Sequence, residues 1–139
     1  MSMENRFGVT GLLENRLKYL LKIIRSLPEF KKIDFIVMFG SQVSGKTTKE
    51  SDIDIAISYN NTNYNQSRLR LKLLTKLGRD YYDVHIFEQL PIYIRKDVLK
   101  GRLLYEKRAG LFFNKAIDTI KEFEAFKPIY RQHIEEVAV

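Results

Sequence analysis

The residues best placed to do chemistry stand in one stretch, Phe39 to Ile57, which reads FGSQVSGKTTKESDIDIAI. Asp52 and Asp54 alternate there with Ile53, Ile55 and Ile57. Strand side chains point to opposite faces in turn, so the isoleucines share one face and Asp52, Asp54, Ala56 and Ser58 share the other. At roughly 3.3 Å per residue the two aspartate Cα atoms lie about 6.6 Å apart. Like charges on one strand face repel unless a cation answers them, and a divalent metal is the usual answer. A merely solvated strand face is the plainer reading. Asp is depleted in strands, however, and solvation alone does not explain two of them among three Ile.

Upstream, the apolar run Phe35-Ile36-Val37-Met38-Phe39 stops at Gly40-Ser41. A buried strand ending in Gly-Ser offers a capping hydroxyl and unpaired backbone N–H groups, and these bind phosphate. Gly40 and Ser41 are therefore candidate phosphate ligands. A phosphate site beside a metal site is the layout for chemistry on a nucleoside triphosphate. In the intervening Gln42 to Glu50, Gly45 permits a tight bend or a helix end. Lys46 and Lys49 either neutralise phosphates there or are two solvated surface lysines.

The elements that must hold these residues can be read outward from them. Leu13, Leu17, Leu20, Leu21 and Ile24 recur on one helical face over 11–27, and Pro28 stops that helix. The unbroken apolar strand that follows implies burial on both faces. Tyr59 to Asn65 reads as a polar loop that could form a rim over a nucleotide. Gln66 to Leu77 reads as a helix closed by Gly78, with Leu69, Leu73, Leu74 and Leu77 inward. Arg68, Lys72, Lys76 and Arg79 make a basic stripe beside it, which is either a solvated face or a contact for RNA or an acidic partner. Tyr81 to Phe87 alternates again, placing Asp83 as the one acid within that strand. From the residues alone Asp83 is as readily a solvated acid as a ligand. His85 reads first as a hydrogen-bonded structural histidine and second as a residue that meets the site from two positions away; His133 reads as a surface one. Leu90-Pro91 opens a short helix ended by Gly101, then a strand over 102–106. A helix follows over 111–126, with Pro128 breaking the pattern before a frayed helix over 129–139. Its broad apolar face is read first as core and second as a surface for a partner. The order suits an α+β domain with a mixed β-sheet, helices packed on one face and the acids on the other.

The chain has 139 residues, 45% of them hydrophobic and 29% charged, which predicts a single domain spanning 1–139. Its net charge of +7 favours anionic partners without choosing among nucleotides, nucleic acid and acidic proteins. With no cysteine, disulfides and thiolate metal sites are excluded. No apolar run approaches a membrane span, and 1–9 lacks a signal-peptide core, so a cytoplasmic protein is expected. Composition leaves the oligomeric state open.

Gly40-Ser41, ten residues, then Asp52-x-Asp54 resembles the signature of the DNA polymerase β-type nucleotidyltransferase superfamily. The small size and the stretch from Leu90-Pro91 to Tyr105-Glu106 make the chain similar to the minimal nucleotidyltransferase (MNT) family, over about 33–106. That family includes antitoxins encoded beside HEPN-domain toxins. The resemblance implies the palm-like nucleotidyltransferase fold and makes Asp83 the third acid. It implies transfer of AMP from ATP to a hydroxyl, with two Mg2+ ions held by Asp52, Asp54 and Asp83. It also implies triphosphate contacts from Gly40 and Ser41, and a HEPN-type toxin partner bearing the acceptor tyrosine. Where family members often carry an Arg, this chain has Ser44, so that role is empty or passes to Lys46. Two other readings stand beside this one: a non-catalytic binding antitoxin, and a nucleotidyltransferase acting on a small molecule. A chain this short leaves little room for a small-molecule acceptor domain or a template-binding module.

Overall fold

The seven residues Ile33–Phe39 form β1, and its lack of polar alternation has a structural cause: apolar side chains cover both of its faces. A computed structural model describes residues 8–40, 43 and 52–138, with side chains for 11–40, 43 and 52–129. A register irregularity between Ile33 and Phe35 turns Ile33 onto the same face as Ile36 and Met38, leaving Phe35 and Val37 on the other. β1 lies between β2 (Ile53–Tyr59) and β4 (Arg102–Glu106), antiparallel to both. β3 (Tyr82–Ile86) runs parallel to β2 at the edge, so the sheet is mixed, with order β3-β2-β1-β4. The domain is α+β with a mixed sheet, as expected.

Two helices cover the isoleucine face. In α1 (Gly8–Arg25) the buried Leu17, Leu20 and Ile24 meet Ile53, Ile55 and Ile57, with Leu13 and Leu21 packed at the margin. α2 (Asn63–Leu77) adds Leu69, Leu73 and Leu77. Its start lies three residues before the expected one. The Thr62 side chain accepts from the Asn65 N–H at 3.2 Å and caps the helix, so only 60–62 separate β2 from α2. The expected polar rim over 59–65 is therefore mostly strand end and helix start. Gly78 closes α2 at φ 62°, the left-handed conformation that glycine adopts without strain. The basic stripe is interrupted, because Lys72 pairs with Glu29 at 3.1 Å.

Helices on one face alone do not complete the architecture. α3 (Ile92–Val98) and the start of α4 (Leu111–Ala138) lie on the acid face, where Phe35, Val37, Ala56, Phe87 and Val98 form a second, smaller core. Phe35 anchors it by edge-to-face contacts with Phe87 (5.2 Å) and Phe112 (5.1 Å). The Glu106 carboxylate accepts from the Phe112 N–H at 3.1 Å, tying β4 to the first turn of α4. α4 continues unbroken through Pro128 to Ala138, so the break expected at Pro128 is absent and the helix expected beyond it is part of the same element. Proline removes one backbone donor and crowds the preceding turn, but it does not oblige a long helix to end. Among the described residues no helix is long and apolar enough to cross a membrane.

Candidate active site

Among the described residues the acid face is closed at one end and open at the other. Ala56 and its β1 partner Val37 lie in the second core, while Asp54 sits one row nearer the start of β2. In the β2–β3 register Asp54 is the direct partner of Asp83. Parallel partners present their side chains on the same face, so the two carboxylates stand side by side. His85, two residues beyond Asp83 and hence on that face too, donates from Nε2 to Asp83 Oδ2 at 3.1 Å. Ligand atoms of Asp54, Asp83 and His85 all lie within 4.8 Å of one another. Phe39 closes one side, its ring centroid 5.8 Å from that of His85.

Asp54 carries the electrostatic consequence. Burial, then a hydrogen bond and charge repulsion from Asp83, push its carboxyl up to about 6, against a small lowering by His85. Asp52 adds to the repulsion from the exposed start of β2. A carboxylate cluster with that much stored repulsion, and with an imidazole nitrogen of suitable reach, fits a divalent cation by donor type and spacing.

Gly40 ends β1 against this cluster. Its φ is +81°, and a Cβ there would sit 2.3 Å from Asp54 Oδ2, so both backbone conformation and space require glycine. Phe39 is the register partner of Asp54, which explains the closeness. Beyond Gly40 lies an open cleft of about 170 Å³ lined by Val43, Asp97, Lys100 and Gly101 among others. Lys100 is an exposed cation on that side and pairs only loosely with Asp97, at 3.9 Å.

Of the residues expected from sequence, Asp54, Asp83 and Gly40 converge. Asp52 lies beside them, one row further out. Ser41 and Lys46, with Ser44, Gly45 and Lys49, lie outside the described residues. His85, expected at the site only as a second reading, is there as well, and Lys100 was not expected. The alternation of Tyr81 to Phe87 does place His85 on the face of Asp83, and that was the available signal. Nothing in the sequence brings Lys100 to Gly40; the close approach of Gly101 to β1 does so, with a Cβ there only 2.2 Å from the Met38 carbonyl oxygen.

Paired carboxylates on neighbouring strands, with a glycine turn abutting one of them, are the arrangement of a metal-assisted phosphoryl-transfer domain. Comparison with known proteins narrows that class. Residues 21–109 match the family described as Polymerase beta, Nucleotidyltransferase. A Methanocaldococcus jannaschii relative named "Putative protein adenylyltransferase MJ1547" is 32% identical over 100 residues, 72% of this chain and 71% of the relative. The chain belongs to the polymerase β-type nucleotidyltransferase family and is a nucleotidyltransferase. Its fold is similar to that of a chain in a crystallised toxin–antitoxin with AMP-PNP (TM-score 0.70, 24% identity, 88% of this chain and 98% of that one). It is also similar to a chain of the tri-AMPylated Shewanella oneidensis HEPN toxin in complex with MNT antitoxin (TM-score 0.64, 23% identity, 91% and 98%).

Proposed function

We propose that this chain is a Mg2+-dependent protein adenylyltransferase that moves AMP from ATP to a tyrosine hydroxyl of a HEPN-type toxin, and so acts as an antitoxin in the cytoplasm. The observation that carries the reading is the Asp54–Asp83 pair with Gly40 pressed against Asp54. The relative named for protein adenylyl transfer supports the reaction class, and the likeness to toxin–antitoxin chains supports the setting.

In the step itself the acceptor oxygen bonds to the α-phosphorus, the bond from that phosphorus to the bridging oxygen breaks, and pyrophosphate leaves. The acceptor proton passes to Asp83, oriented by His85, and then to solvent. Asp52, Asp54 and Asp83 would hold two divalent cations, which when bound would supply charge neutralisation at the phosphates and lower the pKa of the acceptor hydroxyl. Backbone N–H groups after Gly40, the Ser41 hydroxyl and Lys46 would grip the triphosphate, and Lys100 in the cleft beside Gly40 adds positive charge.

The test is to incubate the chain with its HEPN-type partner, Mg2+ and ATP, and weigh the partner by mass spectrometry. One AMP unit per modified tyrosine is expected, and Asp83→Asn should abolish it while the two proteins still bind. Neutralisation of the toxin with no added mass would make this a binding antitoxin instead.

A further inference from the structure

On the flank of β3, away from Gly40, α1 and the α2–β3 loop enclose an open groove of about 410 Å³. Leu12, Asn15, Arg16 and Tyr19 line it from α1, and Arg79 and Tyr81 line it from the loop. The four α1 residues recur at helical spacing, so they form one stripe beside the buried Leu17, Leu20 and Ile24. No acid lines the groove among the described residues.

Its walls are held in place by several contacts. The Arg16 guanidinium carbon lies 3.7 Å from the Tyr81 ring centroid, the geometry of a cation stacked on an aromatic face. Tyr81 and Tyr82 rings are 4.6 Å apart, and the Tyr82 hydroxyl donates to the Arg16 carbonyl at 2.6 Å. Arg79 is exposed, bonded only weakly to the Gly78 carbonyl at 3.3 Å. Tyr19 is 37% exposed. The groove is near the candidate active site without sharing its residues: the Ile53 N–H donates to the Tyr81 carbonyl at 2.7 Å, one row out from the Asp54–Asp83 pair.

Guanidinium groups set among aromatic rings, on a chain of net charge +7, match a ligand that carries both negative charge and planar rings. We propose that this groove binds single-stranded nucleic acid, with a phosphate on Arg79, further positive charge from Arg16 and a base stacked on Tyr19. Such strands are held elsewhere by the same pairing of basic groups with stacking platforms. An acidic peptide would use the charge and leave the rings idle. The proposal is independent of adenylyl transfer, because it involves neither the carboxylate cluster nor Gly40.

Fluorescence anisotropy of a labelled single-stranded oligoribonucleotide tests it, with the full chain and saturating Mg2+ and ATP. The strand should bind, and Tyr19→Ala should weaken binding about tenfold, the effect of one lost base–aromatic stack. Arg79→Gln should lower the slope of log affinity against log salt by about 0.7, one phosphate contact on a single strand. Both variants should keep the parent's thermal shift with Mg2+ and ATP. Asp83→Asn should bind the strand like the parent, whatever becomes of its transferase activity. Absence of binding, or equal binding by the parent, Tyr19→Ala and Arg79→Gln, would overturn the proposal. So would displacement by polyglutamate as effective as by unlabelled RNA, which would mark an acidic-protein surface. Displacement by AMP at matched nucleotide concentration would mark a mononucleotide pocket and overturn it too.

Discussion

On one face of the sheet Ile53, Ile55 and Ile57 lie fully buried beneath α1 and α2. On the other, Asp54 faces Asp83 and His85 of β3, and among the described residues only the far half is covered, by Phe87, Val98 and the start of α4. One seven-residue strand therefore serves two opposed demands. The isoleucine face gains from every methylene it removes from water. The aspartate face holds carboxylates close enough to repel, a net cost that the isoleucine core must carry. Separating the two by the strand's own alternation lets adjacent residues differ wholly in purpose.

The comparison is broken most forcefully at Asp54. On the function proposed above, Asp54→Asn should lower adenylyl transfer by about a thousandfold or more, since the proposed cations would supply several kcal/mol of stabilisation through this cluster. The fold should persist, and steady-state transfer with folded protein reads the loss. Next door, Ile55→Ala should do the reverse. It removes buried volume from a packed core and should cost about 3 kcal/mol in denaturant unfolding, with transfer retained by the protein that remains folded. A variant of Ile55 that lost activity while staying fully folded would show that the two faces are not separable.

Gly40 sharpens the comparison on the acid side. Gly40→Ala adds a Cβ 2.3 Å from Asp54 Oδ2 at a φ of +81°, so the carboxylate must move. Strain there should cost about 1–2 kcal/mol of stability, and displacement of the carboxylate should slow transfer by about a hundredfold. A larger loss in stability than in transfer would place Gly40 in the fold rather than in the site.

How much of this was legible beforehand follows from which signals are local. Alternation over Ile53 to Ile57 and Tyr82 to Ile86, the Leu spacing of α1 and α2, and the Gly78 stop are set by neighbours in sequence, and all appear in the structure. The second core was not legible. Phe35, Phe87 and Phe112 are far apart in the chain, and only the sheet and the return of α4 bring their rings within about 5 Å of one another through Phe35. His85 was on the right face by alternation, yet a strand histidine is usually just hydrogen-bonded, and here its partner is itself a site carboxylate. Pro128 carried a strong local stop that the long helix overrides.

The smallest expected effect is on pH dependence. The carboxyl of Asp54 is raised from its model-compound value of 3.8 to about 6 in the folded chain, so the folded state binds the proton more tightly than the unfolded one. Its contribution therefore favours folding at low pH and declines as pH rises from about 4 through 6. Relative to the parent without metal, Asp54→Asn should be more stable above pH 7 by about 1 kcal/mol after allowance for solvent screening. The difference should vanish near pH 4, as read by paired denaturant unfolding curves. A constant difference across that range would place the effect outside the titration of Asp54.

The open half of the acid face is, on this account, a divalent-cation site for a nucleotide, and one measurement addresses that directly. Thermal unfolding is followed with ATP alone and with ATP plus Mg2+ or Mn2+, for the parent and for the combined Asp54→Asn, Asp83→Asn variant. The cation should raise the parent's melting temperature well above the value with ATP alone, and the combined variant should lose that increment while unfolding cooperatively. An equal metal-dependent increment in both proteins would contradict the account.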